Sequence, residues 1–199
     1  GHGEARVVPD TADISLGVSA NAPTAREALT ANTAAMNALM DTITKAGIAA
    51  KDVQTNNFSV NPHMEYDPQN QQPPRITGYD VSNAVTVTVR DVAALGPLLD
   101  AAVSAGSNQI NSISFRSSKA DEVMDEARKE AVKDAQRKAA LYTTAVGVGL
   151  GNILSMSEAG SAEPRPMFYA KAMRADAAGA VPIAQGEQTL AIDMTMVWE

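Results

Sequence analysis

The chain has two histidines, His2 and His63, and no cysteine. Acid–base or metal chemistry would therefore have to be assembled from these two rings and from carboxylates. His63 stands in NPHMEY, close in sequence to Glu65 and Asp67. Together they could form an acid–base pair or part of a metal site. A zinc site needs three or four ligands, however, so a solvated loop histidine is the favoured reading. His2 lies two residues from the start and is expected to be mobile. A glycosidase-like carboxylate pair would draw on Asp13, Asp80 and Asp193. Asp13 and Asp193 fall on the more polar face of alternating strands, which reads as solvent-facing. The lack of cysteine removes disulfides, thiol catalysis and thiolate metal sites together.

Other chemistry-bearing patterns also have plain readings. Gly147, Gly149 and Gly151 superficially resemble a dinucleotide-binding turn, but they follow a predicted helix and precede a predicted strand, the reverse of what that fingerprint requires. Lys129, Lys133, Arg137 and Lys138 alternate with Glu126, Glu130 and Asp134 at i,i+3 and i,i+4 spacing, which describes a salt-bridged solvent face. The formal net charge of −7 disfavours nucleic acid, which needs a basic face to displace phosphate counterions. It also disfavours simple electrostatic docking on an anionic membrane. The nine methionines are not clustered as copper ligands, and Met36, Met194 and Met196 occupy core-facing positions. One segment stands apart. Met167, Phe168 and Tyr169 lie in PRPMFYAKAM among small residues, and two of the chain's seven Phe or Tyr residues are spent there. Exposed, they would form an adhesive knob for a partner or a second copy; folded back, they would be buried.

The elements that position these residues follow from periodicity. Residues 6–22 alternate, with Ile14, Leu16, Val18 and Ala20 on one face and a bend or bulge at Pro9–Asp10. Thr24 and Glu27 form a capping box for a helix whose stripe is Ala28, Leu29, Asn32, Ala35, Met36, Leu39 and Ile43. Gly47 is its expected left-handed stop. A strand over 53–63, a polar Pro-rich connection over 67–74 and a strand over 76–89 suggest a long-looped antiparallel hairpin. Asp91 offers an N-cap, and Pro97 suggests that the regular helix begins there. A short strand over 109–115 precedes a long helix over 121–146, whose seam of Ala127, Ala131, Ala135, Ala139 and Tyr142 would let it sit close to a sheet. Strands over 152–158 and 187–198 complete the pattern, and residues 160–186 are expected to form a flexible or protruding loop. MDTITKAGI and LDAAVSAGS close the helices of two similar strand–helix–strand runs, at about 10–60 and 80–116. The expected architecture is one α+β domain over residues 1–199: a mixed, mainly antiparallel sheet with three helices on one face and two β-α-β-like units.

Eight blocks, among them GHGEARVVPDTADISLGVSA, ITGYDVSNAVTVTVRD, GPLLDAAVSAGSNQI, EARKEAVKDAQRKAALY and VPIAQGEQTLAIDMTMVWE, resemble the SIMPL-domain family in order along nearly the whole chain. The likeness is to its bacterial periplasmic immunogenic and outer-membrane antigen-like members. It implies an α+β envelope protein of the periplasm, exported by a signal peptide not included in this stretch and associated with envelope or oxidative stress. The family supplies no established catalytic residues. The expectation is therefore a non-enzymatic protein without cofactor or metal that acts through self-assembly or protein interaction, with Met167, Phe168 and Tyr169 as candidate interaction residues. Expected partners are a second copy of the chain and, peripherally, the membrane. The alternative is a binding module for a small apolar or lipid-like ligand in a cavity lined by Met and Ala.

Overall fold

Pro9 and Asp10 divide what alternation writes as one run. β1 (His2–Val7) and β2 (Thr11–Ala22) join different sheets in the computed structural model, which describes residues 1–65, 73–159, 165–167 (backbone only), 181 and 183–199. Most of the expected 160–186 loop lies outside the described residues. The chain forms two compact units.

One unit spans residues 11–115. It contains β2, α1 (Ala25–Lys45), β3 (Val53–Glu65), β4 (Arg75–Val89), α2 (Leu95–Ser104) and nearly all of β5 (Gln109–Arg116). The sheet order is β3-β4-β2-β5, with neighbours antiparallel. Each helix therefore returns the chain to a strand parallel to the one it left, with a third strand between them. These are two split β-α-β units. The hairpin expected around 67–74 is present as the antiparallel β3/β4 pair.

The register Ile14↔Val87 and Leu16↔Val85 puts the apolar residues of β2 and β4 on one face. That face meets Met36, Leu39 and Ile43 of α1 and Leu95, Leu98 and Leu99 of α2 in one buried cluster. Asn32 is fully buried within this interface. Its amide donates to the Val18 carbonyl at 2.8 Å and to the Val81 carbonyl at 3.1 Å, tying α1 to both central strands.

The capping expectations hold. Thr24 and Glu27 form the box. α1 and α2 end alike, on Gly47 (φ 83°) and Gly106 (φ 104°). In both, the next N–H reaches back five residues, Ile48 to Ile43 and Ser107 to Ala102. This is the Schellman closure that needs a left-handed residue. Pro97 does not start α2. Asp91 caps a short 3-10 turn at Val92–Ala94, the α-helix begins at Leu95, and Pro97 falls in its first turn, where no N–H is required.

The other unit contains β1, α3 (Ala120–Val146), β6 (Ile153–Ala159), β7 (Arg165–Met167) and β8 (Glu187–Trp198). β8 is central, flanked by β1 on one side and by β6 and β7 on the other, all antiparallel to it. The α+β class is as expected. The strands, however, divide between two antiparallel sheets, α1 and α2 packing on one and α3 on the other.

α3 packs through Ala127 and Ala131 against Ile192 and Met194. The Ala seam brings the helix so close that a Cβ on Gly3 would strike the Ala127 carbonyl oxygen, and one on Gly1 would strike that of Ala131. The seam ends sooner than its periodicity suggests, because Tyr142 is 66% exposed. Gly3→Ala is expected to lower unfolding free energy by about 1–3 kcal/mol in denaturant titration, the usual range for overpacking. Gly149→Ala, with nothing within 4 Å of the added methyl, should be close to neutral.

Candidate functional site

The polar candidates are brought into pairs. His2 is held in β1, opposite Asp193 of β8, rather than at a mobile end. Its Nδ1 lies 2.8 Å from the Asp193 carboxylate and its Nε2 3.0 Å from that of Glu4. Its backbone N–H donates to Asp134 at 2.9 Å. Hydrogen bonds to Glu4 and then Asp193 raise the imidazole pKa above 6.5. The Asp134 carboxyl is held far below the ordinary range by Lys138, the His2 N–H and Arg137. His2, Glu4, Asp134 and Arg137 border an open hollow of about 440 Å³. The His2 ring there is a half-exposed base between the carboxylates of Glu4 and Asp193.

His63 extends from β3 to Asp80 of β4, its Nδ1 3.0 Å from the carboxylate, which also accepts from Asn21 at 2.7 Å. Those two bonds, Asn21 first, lower the Asp80 pKa. The partner of His63 is thus Asp80 rather than Glu65; Asp67 lies outside the described residues. The β3/β4 register that joins them follows from the hairpin, so the pair was within reach of strand alignment.

A two-carboxylate cleft is not formed from the candidates in this sheet. Asp13 bonds Thr88 at 2.5 Å, while Asp80 lies eight residues from Thr88 along the same strand. At about 3.3 Å per residue that separates the acids by about 26 Å, far beyond the roughly 5–9.5 Å used by glycosidases. Among the described residues no group of three or more His, Asp or Glu side chains is arranged to hold a metal ion. The basic residues of α3 pair along its face, as Arg128–Asp125, Lys129–Glu126, Lys133–Glu130 and Arg137–Asp134. Among the described residues no helix is long and apolar enough to cross a membrane.

Apolar surface is the more prominent feature. After Ala135, α3 leaves Leu141, Tyr142 and Val146 exposed; the following turn and β6 add Val148, Leu150, Leu154 and Met156. A groove of about 500 Å³ runs between α3 and β8, lined by Ala135, Ala139, Tyr142, Met194, Met196 and Trp198 and bordered by Val148–Leu150. The turn that bounds it begins with left-handed Gly147 (φ 76°) and is tied to the last strand by the Gly151 N–H to the Glu199 carbonyl at 3.3 Å. Separately, in the 11–115 unit, Leu29, Met40, Phe58 and Val60 are exposed. Sequence periodicity did not single out these surfaces, because alternating or helical stripes look the same whether or not another element covers them. Of the expected knob, Met167 at the end of β7 has its backbone paired with Glu187 of β8. Its side chain, with Phe168 and Tyr169, lies outside the described residues.

The family model for SIMPL, described as a protein of unknown function (DUF541), matches residues 1–198. The chain belongs to the SIMPL family. It is 39% identical over 206 residues to the 26 kDa periplasmic immunogenic protein of Brucella melitensis biotype 1, covering 100% of this chain and 82% of the relative. It is 29% identical over 189 residues to the uncharacterized protein YggE of Edwardsiella ictaluri, covering 94% and 78%. The resemblance carried by the eight sequence blocks is thus confirmed. In this SIMPL chain the histidine–carboxylate clusters are at the surface, and among the described residues the exposed apolar side chains include those of α1, β3, the end of α3 and β6.

The pH dependence of the His2 cluster has a definite sign. A raised native pKa contributes stability that is fully present below the unfolded value near 6.5 and disappears as pH rises through the native value. His2→Ala should therefore destabilise more at pH 5.5 than at pH 9. Equal losses at both pH values in denaturant titrations would show that folding does not raise the His2 pKa, and a larger loss at pH 9 would show that His2 is held neutral.

Proposed function

We propose that the protein is a non-enzymatic component of the periplasm that acts through self-assembly or protein interaction. The carrying observation is the concentration of exposed apolar side chains at the end of α3 and along β6, a composition suited to a protein–protein contact. The periplasmic setting is supported by the Brucella relatives, whose names place them there. Light scattering after size exclusion is expected to show an assembly larger than one chain across micromolar concentrations. A strict monomer at high concentration would overturn self-assembly.

The groove between α3 and β8 favours a second reading, a site for a small apolar or lipid-like ligand. Its volume falls within the usual ligand range, and Met194, Met196, Ala135 and Ala139 line it. Trp198, the only tryptophan, is part of the lining. Titration with a long-chain fatty acid should shift Trp198 emission saturably. An unchanged spectrum, with no adduct in the native mass spectrum of freshly purified protein, would remove this reading.

A further inference from the structure

We propose that the free edge of β3 is a self-pairing site, where two copies of the chain join their sheets by antiparallel addition of β3 to β3 about a two-fold axis centred on Ser59. This rests on the self-assembly reading above and names a surface for it.

β3 is an end strand of its sheet, paired on one side with β4, so its other side presents unpaired backbone groups among the described elements. Proteins usually guard such an edge with charged side chains, bulges or proline. From Val53 to Pro62 β3 has no charged residue, in a chain of net charge −7. Two identical acidic molecules approach at lowest electrostatic cost along an uncharged stretch.

Irregularities bracket the usable length. The ladder with β4 shifts between Thr55 and Asn57, and Asn56 is anchored across the sheet, its amide donating to Thr86 Oγ1 at 2.8 Å and to Ser15 Oγ at 3.3 Å. At the other end Pro62 has no N–H to give. The regular window is Asn57–Asn61, and its midpoint is Ser59.

The pattern within that window is self-complementary. Phe58 and Val60 lie opposite Asn83 and Val81, on the helix-bearing face, and are 55% and 41% exposed. An antiparallel copy centred on Ser59 sets Phe58 beside Val60 of the second copy, and Asn57 beside its Asn61. Apolar meets apolar on one face and amide meets amide on the other. Leu29 and Met40 extend the apolar strip. Ala35 faces Gly106 at the end of α2, and Leu29 and Met40 lie about 120–140° from it around α1, on the flank toward β3. The opposite edge, β5, has no such strip: its exposed Ile110 and Ile113 have opposite parity and point to opposite faces.

The absence of cysteine makes the register directly testable. Ser59→Cys introduces a single thiol that meets its own copy on the axis, so mild oxidation should yield a covalent dimer on a non-reducing gel. Asn57→Cys places the two thiols about 13 Å apart along the strands, beyond disulfide reach, and should cross-link far less. Phe58→Lys should reduce the mass measured by light scattering while leaving circular dichroism and the melting temperature close to wild type, since the side chain is exposed. An assembled wild type whose Ser59→Cys form does not cross-link, or whose Phe58→Lys form keeps its mass, overturns the β3 site but leaves self-assembly standing. A monomeric wild type overturns both.

Discussion

Much of the 11–115 unit depends on the register between β2 and β4. Because side chains alternate every residue, a slip of one would turn Val85, Val87 and Val89 toward solvent and Thr86 and Thr88 toward the helices. With Ile14 opposite Val87, every inward position of the two central strands is apolar as far as Asn83, where Asn32 descends from α1 to bond both strands. The same register sets Thr88 beside Asp13 and Asp80 beside Asn21, and through β3 it brings His63 to Asp80. The polar pairs are thus consequences of the pleat that builds the core.

The unit built on β8 solves its packing problem differently. It has few large side chains between helix and sheet, and it compensates by close approach. Gly1 and Gly3 let the α3 backbone sit almost on β1, so contact comes from many small atoms at short range. Close packing of this kind covers only the stretch where Gly meets Ala. Once Ala135 is passed, Leu141, Tyr142 and Val146 are exposed, and apolar surface remains outside. A helix suited to a tight seam at one end and left uncovered at the other is the geometry on which both the interaction and the ligand readings rest.

The ionic features contribute more to solubility and local order than to chemistry. The Arg128–Asp125, Lys129–Glu126 and Lys133–Glu130 pairs of α3 are exposed, and solvent screening leaves such pairs little net stabilisation. They keep the outer face of the helix wet, and β3 by contrast has no charge over its central length. The contrast between a heavily charged helix face and an uncharged strand edge within one acidic chain is what distinguishes the surfaces suited to solvent from those suited to a partner.

Local order was largely legible from residue types alone. The α+β class, the capping box at Thr24, the glycine stops, the Ala seam and the strand alternation each follow from interactions among residues a few positions apart, which neighbouring sequence encodes directly. The family, too, was readable from blocks in order along the chain. The division into two sheets was not, because Pro9–Asp10 looks the same whether it bends one strand or separates two; only the long-range pairing of β1 with β8 and of β2 with β4 decides. The His63–Asp80 and His2–Asp193 pairs likewise join residues 17 and 191 positions apart. Whether an apolar stripe becomes core or surface was also decided at this level. An identical pattern of Val, Leu and Phe is buried when a helix returns over it and exposed when none does, and that choice lies in the topology of the chain rather than in the stripe.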